Sequence, residues 1–180
     1  MTPAEREQAI SSLRDSRDRL LRTAHGLSPA QLRYKPAPDR WSVAECIEHI
    51  VVVESSILGG VEKTLQQAAH SPKSAIQDDV LVHQVVDRTT RVKGPDRLMP
   101  MGRWPHDQLV REFEAARKRT SEFAATTSAD LRQAAFPHPM FGPLDCYQWL
   151  LLIAAHGERH RAQAEEVMAD ANFPRSAAAV

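Results

Sequence analysis

The chain has 180 residues, 42% of them hydrophobic and 26% charged, so it is long enough for one domain with a proper core, and disorder as its main state is excluded. Lys plus Arg total 23 and Asp plus Glu total 23, and this zero net charge argues against a general nucleic-acid or anionic-membrane binder, which needs a basic excess. Two cysteines, Cys46 and Cys146, are too few for a disulfide scaffold or a four-Cys zinc site. The one oddity is eight histidines beside only two tyrosines.

Helix signals dominate from the start. Thr2-Pro3-Ala4-Glu5 is a capping box, in which the Thr side chain accepts from the N3 amide and Glu5 reaches back. Ile10, Leu13, Leu20, Leu21 and Ala24 follow at helical spacing, and Gly26 can stop this first helix. Ser28-Pro29-Ala30-Gln31 is a second box that opens only a short turn, because Pro36 and Pro38 follow. Ser42 and Glu45 form a third, with Trp41 placed to staple against Cys46. The helix it opens is predicted to run to about Ala69, apolar over most of its circumference and therefore central.

Residues 70–106 break the pattern with prolines and glycines, leaving room for one short helix over Asp78–Asp87. A connection this long is unusual inside one domain and hints at function or an unusual crossover. Leu109, Phe113, Ala116, Thr120 and Phe123 define a third long helix from about Asp107. Thr127-Ser-Ala-Asp-Leu-Arg132 then echoes Ser28-Pro-Ala-Gln-Leu-Arg33, as in a faint repeat of a helix–turn–helix unit. The last helix is predicted to begin near Pro143 and to continue to Ala171, and no segment reads as a strand. The expected fold is all-α: a four-helix bundle over residues 1–175, with 176–180 as a flexible tail. The short links make helices one and two, and three and four, antiparallel neighbours. The long crossover lets helices two and three run parallel.

His156 and His160 stand four residues apart on the last helix, so both imidazoles share one face and can grip one metal ion. The phrase H-G-E-R-H is not the zinc-protease motif, because Gly157 sits where the catalytic Glu would be. Both emerge from the apolar run Trp149–Ala155, and buried imidazoles need partners that a shared ion would satisfy. Against this stands an exposed pair, since Arg159 and Arg161 show a solvated flank. His49 is the best third ligand, because it interrupts the other highly apolar helix. A lone histidine there is more often a hydrogen-bonded core residue, but three on the two most apolar helices favour a three-histidine site.

Trp41-Ser-Val-Ala-Glu-Cys-Ile-Glu-His49, followed by His138-Pro-Met-Phe-Gly-Pro-Leu-Asp-Cys-Tyr-Gln-Trp and on through His156-Gly-Glu-Arg-His160-Arg-Ala-Gln163, resembles the DinB/YfiT-like superfamily of bacterial four-helix bundles. Nearly the whole chain takes part. The resemblance implies a metal held by His49, His156 and His160, an up-down-down-up bundle, and often a homodimer. Characterised relatives include thiol-dependent transferases and isomerases using mycothiol, bacillithiol or glutathione, while many members have no known activity.

The function expected is that of a divalent-metal-binding protein, a thiol S-transferase or related hydrolase acting on a small molecule through a metal-held thiolate or hydroxide. The alternative is a non-enzymatic metal- or small-ligand-binding stress protein. Zinc or nickel is the expected ion, with iron or copper served by the same nitrogens. No run approaches the ~18 apolar residues of a membrane helix, and the N-terminal residues lack the apolar stretch of a signal peptide. A soluble cytoplasmic protein, binding neither nucleic acid nor membrane, is expected. Imidazole ligands predict metal affinity that falls below about pH 6.5. Among the neighbours, Glu45 is expected to cap, Cys46 to pack, and Gln163 either to hydrogen-bond a ligand imidazole or to be solvated. Trp149 and Tyr147 are expected in the core, and Trp104, His106 and His138 in loops at the bundle ends. His25, His70 and His83 read as ordinary helix-end or surface residues.

Overall fold

The computed structural model describes residues 1–67, 74–89 and 94–175. Four long helices carry the fold: α1 (Pro3–Ala24), α3 (Val43–Gln66), α5 (His106–Thr126) and α6 (Cys146–Met168), with short helices α2 (Pro29–Arg33) and α4 (Asp78–Val86) in the connections. All three capping boxes form as the sequence indicates, at Thr2/Glu5, Ser28/Gln31 and Ser42/Glu45. Gly26 follows the end of α1 with φ +73°, a left-handed turn that glycine adopts without strain. The expected end of the second helix at Ala69, together with His70 and the expected flexible tail 176–180, lies outside the described residues.

The helices pack as a ring in which α1 and α3 each lie against both α5 and α6. Helices joined by the short links are therefore diagonal partners. This corrects the expectation that they are neighbours. Directions follow from the contacts. Arg6, near the start of α1, donates to the carbonyls of Ala124, Ala125 and Thr127 at the end of α5, so these two are antiparallel. Thr23 at the end of α1 reaches Glu165 near the end of α6, so these run together. Trp41, before α3, lies on His160 late in α6, so α3 and α6 are antiparallel. The result is the up-down-down-up bundle, with α3 and α5 parallel.

Two expectations need correction. The last helix starts at Cys146, not near Pro143, because Asp145 is its N-cap and forms a fourth capping box with Gln148. The residues before it are a short antiparallel hairpin, β1 (Ala135–His138) and β2 (Gly142–Asp145), with Pro137 opposite Pro143 and Gly142 at φ +68°. Strands of four residues with a proline in each carry no alternation to read, and proline is tolerated there because the pair has no further neighbour to bond. The echo of Ser28–Arg33 at Thr127–Arg132 also diverges: the first copy is α2, the second a non-helical turn. Arg132 instead pairs with Glu5, Asp78 and Asp145 at 2.7, 2.6 and 2.9 Å, tying α1, α4 and the N-cap of α6 together.

The hairpin seats itself on the α3–α6 seam. The Phe136 ring stacks on Trp149 with centroids 4.3 Å apart, and a Cβ at Gly60 would stand 3.0 Å from the Phe136 ring edge, so a larger residue on α3 there would press on that ring. At mid-bundle, Arg117 of α5 is buried and donates to both oxygens of Glu54 on α3, from 2.9 Å, and to the Leu13 carbonyl of α1 at 2.7 Å. Among the described residues, no helix is long and apolar enough to cross a membrane.

Candidate metal centre

His49 sits two turns into α3, and His156 and His160 one turn apart on α6, where the antiparallel crossing brings them face to face. One ring nitrogen from each lies within 4.8 Å of the others. Ring centroids are 5.0 Å apart for His49–His156, 4.6 Å for His49–His160 and 4.4 Å for His156–His160. His49 and His160 are 6% and 7% exposed, while His156 is half-buried. The solvated-pair reading of His156 and His160 is thus set aside: the three candidate residues converge.

Hydrogen bonds decide the state of two rings. His49 Nδ1 lies 2.8 Å from the Leu98 carbonyl, which only accepts, so this nitrogen carries the proton and Nε2 keeps its lone pair. His160 Nδ1 lies 3.0 Å from Gln163 Oε1. That same oxygen faces Arg88 Nη1 at 3.2 Å, and a guanidinium can only donate, so the atom is an oxygen and His160 also donates from Nδ1. Glu166 holds Arg88 in turn with both oxygens, at 2.7 and 2.8 Å. Outer partners that fix a ligand tautomer in this way are usual around metal-binding imidazoles. Gln163 is therefore a partner of the site. Arg88 and the Leu98 main chain, both from the crossover, were not legible in the sequence.

Trp41 covers the cluster, stacked on His160 at 5.6 Å and tilted over His49 at 4.8 Å, a larger role than a staple against Cys46. Glu45 spends its carboxylate on the Ser42 amide at 2.7 Å and on Lys35 at 3.0 Å, as capping requires. Cys46 and Cys146 are fully buried, and burial pushes both thiols up, so neither is a reactive thiolate. Trp149 and Tyr147 are core residues, as expected. Trp104 packs against the cluster around Leu109 and Phe113, and His106 opens α5 with a buried Nε2. His138 lies on the hairpin, where its Nδ1 accepts from the Met140 and Phe141 amides at 3.1 and 3.4 Å. His25 caps α1 and His83 is exposed on α4.

Burial lowers the pKa of His49, and lowers those of His156 and His160 well below the ordinary imidazole value, with the mutual proximity of the rings adding to the effect. Neutral rings are what a cation needs, so proton competition starts at a more acidic pH than the ~6.5 expected of free imidazole. A stability consequence follows for the metal-free protein. Unfolded histidines take up protons near pH 6.5 and these folded ones only at lower pH, so their contribution is full above that pH and is lost as pH falls. The loss is about 1 kcal/mol per histidine per pH unit. Thermal melts of chelator-treated protein should drop by several degrees between pH 7.5 and 5.5, and a flat profile would show that the rings protonate without cost in the fold.

A family model described as the DinB superfamily matches residues 12–164. The chain belongs to that superfamily. This DinB-superfamily protein is 27% identical over 147 residues to the uncharacterized protein YuaE of Bacillus subtilis (strain 168), covering 79% of this chain and 86% of that one. Its fold is similar to that of YfiT from Bacillus subtilis, described as a probable metal-dependent hydrolase with an unusual four-helix bundle topology, with a TM-score of 0.62 at 15% identity over 93% of this chain and 88% of that one. It is also similar to TT2238, a four-helix bundle protein, with a TM-score of 0.54 at 23% identity over 89% and 98%. At these identities the structural likeness is one of fold.

Proposed function

We propose that this DinB-superfamily protein holds one divalent cation, zinc or nickel before iron or copper, on His49, His156 and His160, and works as a metal-dependent thiol S-transferase or related hydrolase. The observation that carries the reading is the convergence of three imidazoles, one ring nitrogen of each lying within 4.8 Å of the others. The donor set fits such an ion, because two rings have Nδ1 committed to oxygen acceptors and keep Nε2 free. Three protein nitrogens are also the number that catalytic zinc sites use while leaving a position for a reactant. When bound, the ion supplies Lewis acidity that lowers the pKa of a coordinated water or thiol.

The chain itself holds, orients and shields. Trp41 covers His49 and His160, and the Leu98 carbonyl orients His49. The nearby carboxylates of Glu45, Glu48 and Glu54 are all engaged by other groups, so none of them is available as a general base. That last observation also favours a second reading, a non-enzymatic metal- or small-ligand-binding stress protein.

Untagged protein, analysed for metal and then offered mycothiol, bacillithiol or glutathione with the electrophile monochlorobimane, separates the two. Metal-dependent consumption of one thiol is the expected result. Bound metal without turnover on any thiol or hydrolysable conjugate would leave the binding protein, and protein without metal after reconstitution would refute the metal-dependent enzyme and the metal-binding form of the second reading.

A further inference from the structure

Between α4 and α5 the crossover forms a 3-10 turn at Asp96–Leu98 and continues to Arg103 as a strap across α3. Glu48, only 3% exposed, gives both oxygens to that strap. Oε1 accepts from the amides of Met101 at 2.7 Å and Arg103 at 3.3 Å, and from the Arg103 guanidinium at 2.7 Å. Oε2 accepts from the Gly102 amide at 2.9 Å. Gly102 has φ +71°, and this left-handed turn lets successive amides converge on one carboxylate. Arg103 then donates to the carbonyls of Met99 at 2.8 Å and Arg97 at 3.1 Å, closing the strap on itself. The strap also delivers the Leu98 carbonyl to His49 Nδ1. Glu48 and His49 are consecutive in α3, so the anchor of the strap and the ring it fixes share one turn of helix.

We propose that Glu48 is a positioning residue of the metal centre: by clamping residues 101–103 it keeps the Leu98 carbonyl on His49 Nδ1 and so holds His49 Nε2 as the free donor. The inference rests on the metal reading above. Glu48 is not itself a candidate ligand, because its oxygens are filled by four donors. Removing the carboxylate takes one shared acceptor from three amides and a guanidinium, and leaves the strap to rest on α3 through the Leu98–His49 hydrogen bond and the packing of Leu98. Loss of an outer partner of a ligating histidine typically weakens metal binding ten- to hundred-fold.

The test compares wild type, Glu48→Ala and Glu48→Gln with Thr2→Ala, which removes a remote helix cap and reports simple loss of stability. Zinc affinity is measured by competition with a chromogenic chelator, and long-range 1H–15N spectra of the metal-free proteins read the imidazole tautomers. Glu48→Ala is expected to bind zinc ten- to hundred-fold more weakly and to replace the single His49 Nδ1–H signature with a tautomer mixture. Glu48→Gln, which keeps one acceptor oxygen, should fall between it and wild type, and Thr2→Ala should move neither readout. Should Glu48→Ala not fold, Glu48→Gln carries the same two measurements. Wild-type affinity together with an unmoved His49 signature in a folded Glu48 variant would overturn the proposal, as would an equal loss in Thr2→Ala. If wild type itself binds no zinc, the metal reading fails, whereas the tautomer spectra still judge the clamp.

Discussion

Replacing His160 with alanine is expected to take the untagged protein from about one bound metal ion per chain to essentially none by elemental analysis, and His49→Ala and His156→Ala should do the same. Each ring is one of three donors, drawn from two helices, and losing one leaves a pair that cannot enclose an ion. The loss should exceed the ten- to hundred-fold that outer partners are worth. It should also appear as stability. A ligand present at a hundred to a thousand times its dissociation constant stabilises the folded state by about 3–4 kcal/mol, so added zinc should raise the melting temperature of wild type and not of the variants. Stoichiometric metal that survives both His49→Ala and His160→Ala would refute the assignment.

The second large effect concerns the bundle interior. Arg117 and Glu54 are 1% and 2% exposed, and the guanidinium also donates to the Ser16 hydroxyl at 2.5 Å. Breaking a buried pair from one side strands the other charge, so Arg117→Met alone or Glu54→Leu alone should cost about 3–5 kcal/mol in urea unfolding. The double variant should recover most of that, since an apolar pair of similar volume avoids the desolvation penalty. Equal losses in the single and double variants would show that the guanidinium's bonds to α1, and not the ion pair, carry the stability.

Arg117 also gives Gly157 a reason. A Cβ at that position would stand 3.3 Å from Arg117 Nη2 and 3.7 Å from the Ser16 hydroxyl. In the phrase H-G-E-R-H the glycine looks like a departure from a catalytic motif. In the fold it is the space that α6 leaves for a guanidinium arriving from α5.

What was legible in the chain had local causes. Capping boxes, apolar stripes and the four-residue spacing of His156 and His160 are each settled within a few residues, and so were the long helices and two of the three imidazoles. His49 needed the coincidence of apolar helices and a family resemblance. What stayed hidden depends on contacts between distant segments. Glu45 and Glu48 look alike in sequence, yet one caps its own helix and the other holds the strap. Leu98 acts through its carbonyl, which every residue possesses. Arg117 sits in a helix rich in charge, and nothing in the spacing says that this one turns inward. Ring order in the bundle is hidden from the sequence for the same reason, since a short link limits how far apart two helices lie without making them neighbours.

The placing of the three imidazoles on α3 and α6 bears on how the molecule assembles. His49 and His156 are more than half of the chain apart in sequence, so the site exists only after the first and last thirds have met. Contacts of such sequence separation carry the largest loop-closure cost and tend to form late. An ion captured there has little to offer the early chain and much to offer the finished one: it should act as a clasp that slows unfolding while leaving the rate of folding nearly unchanged.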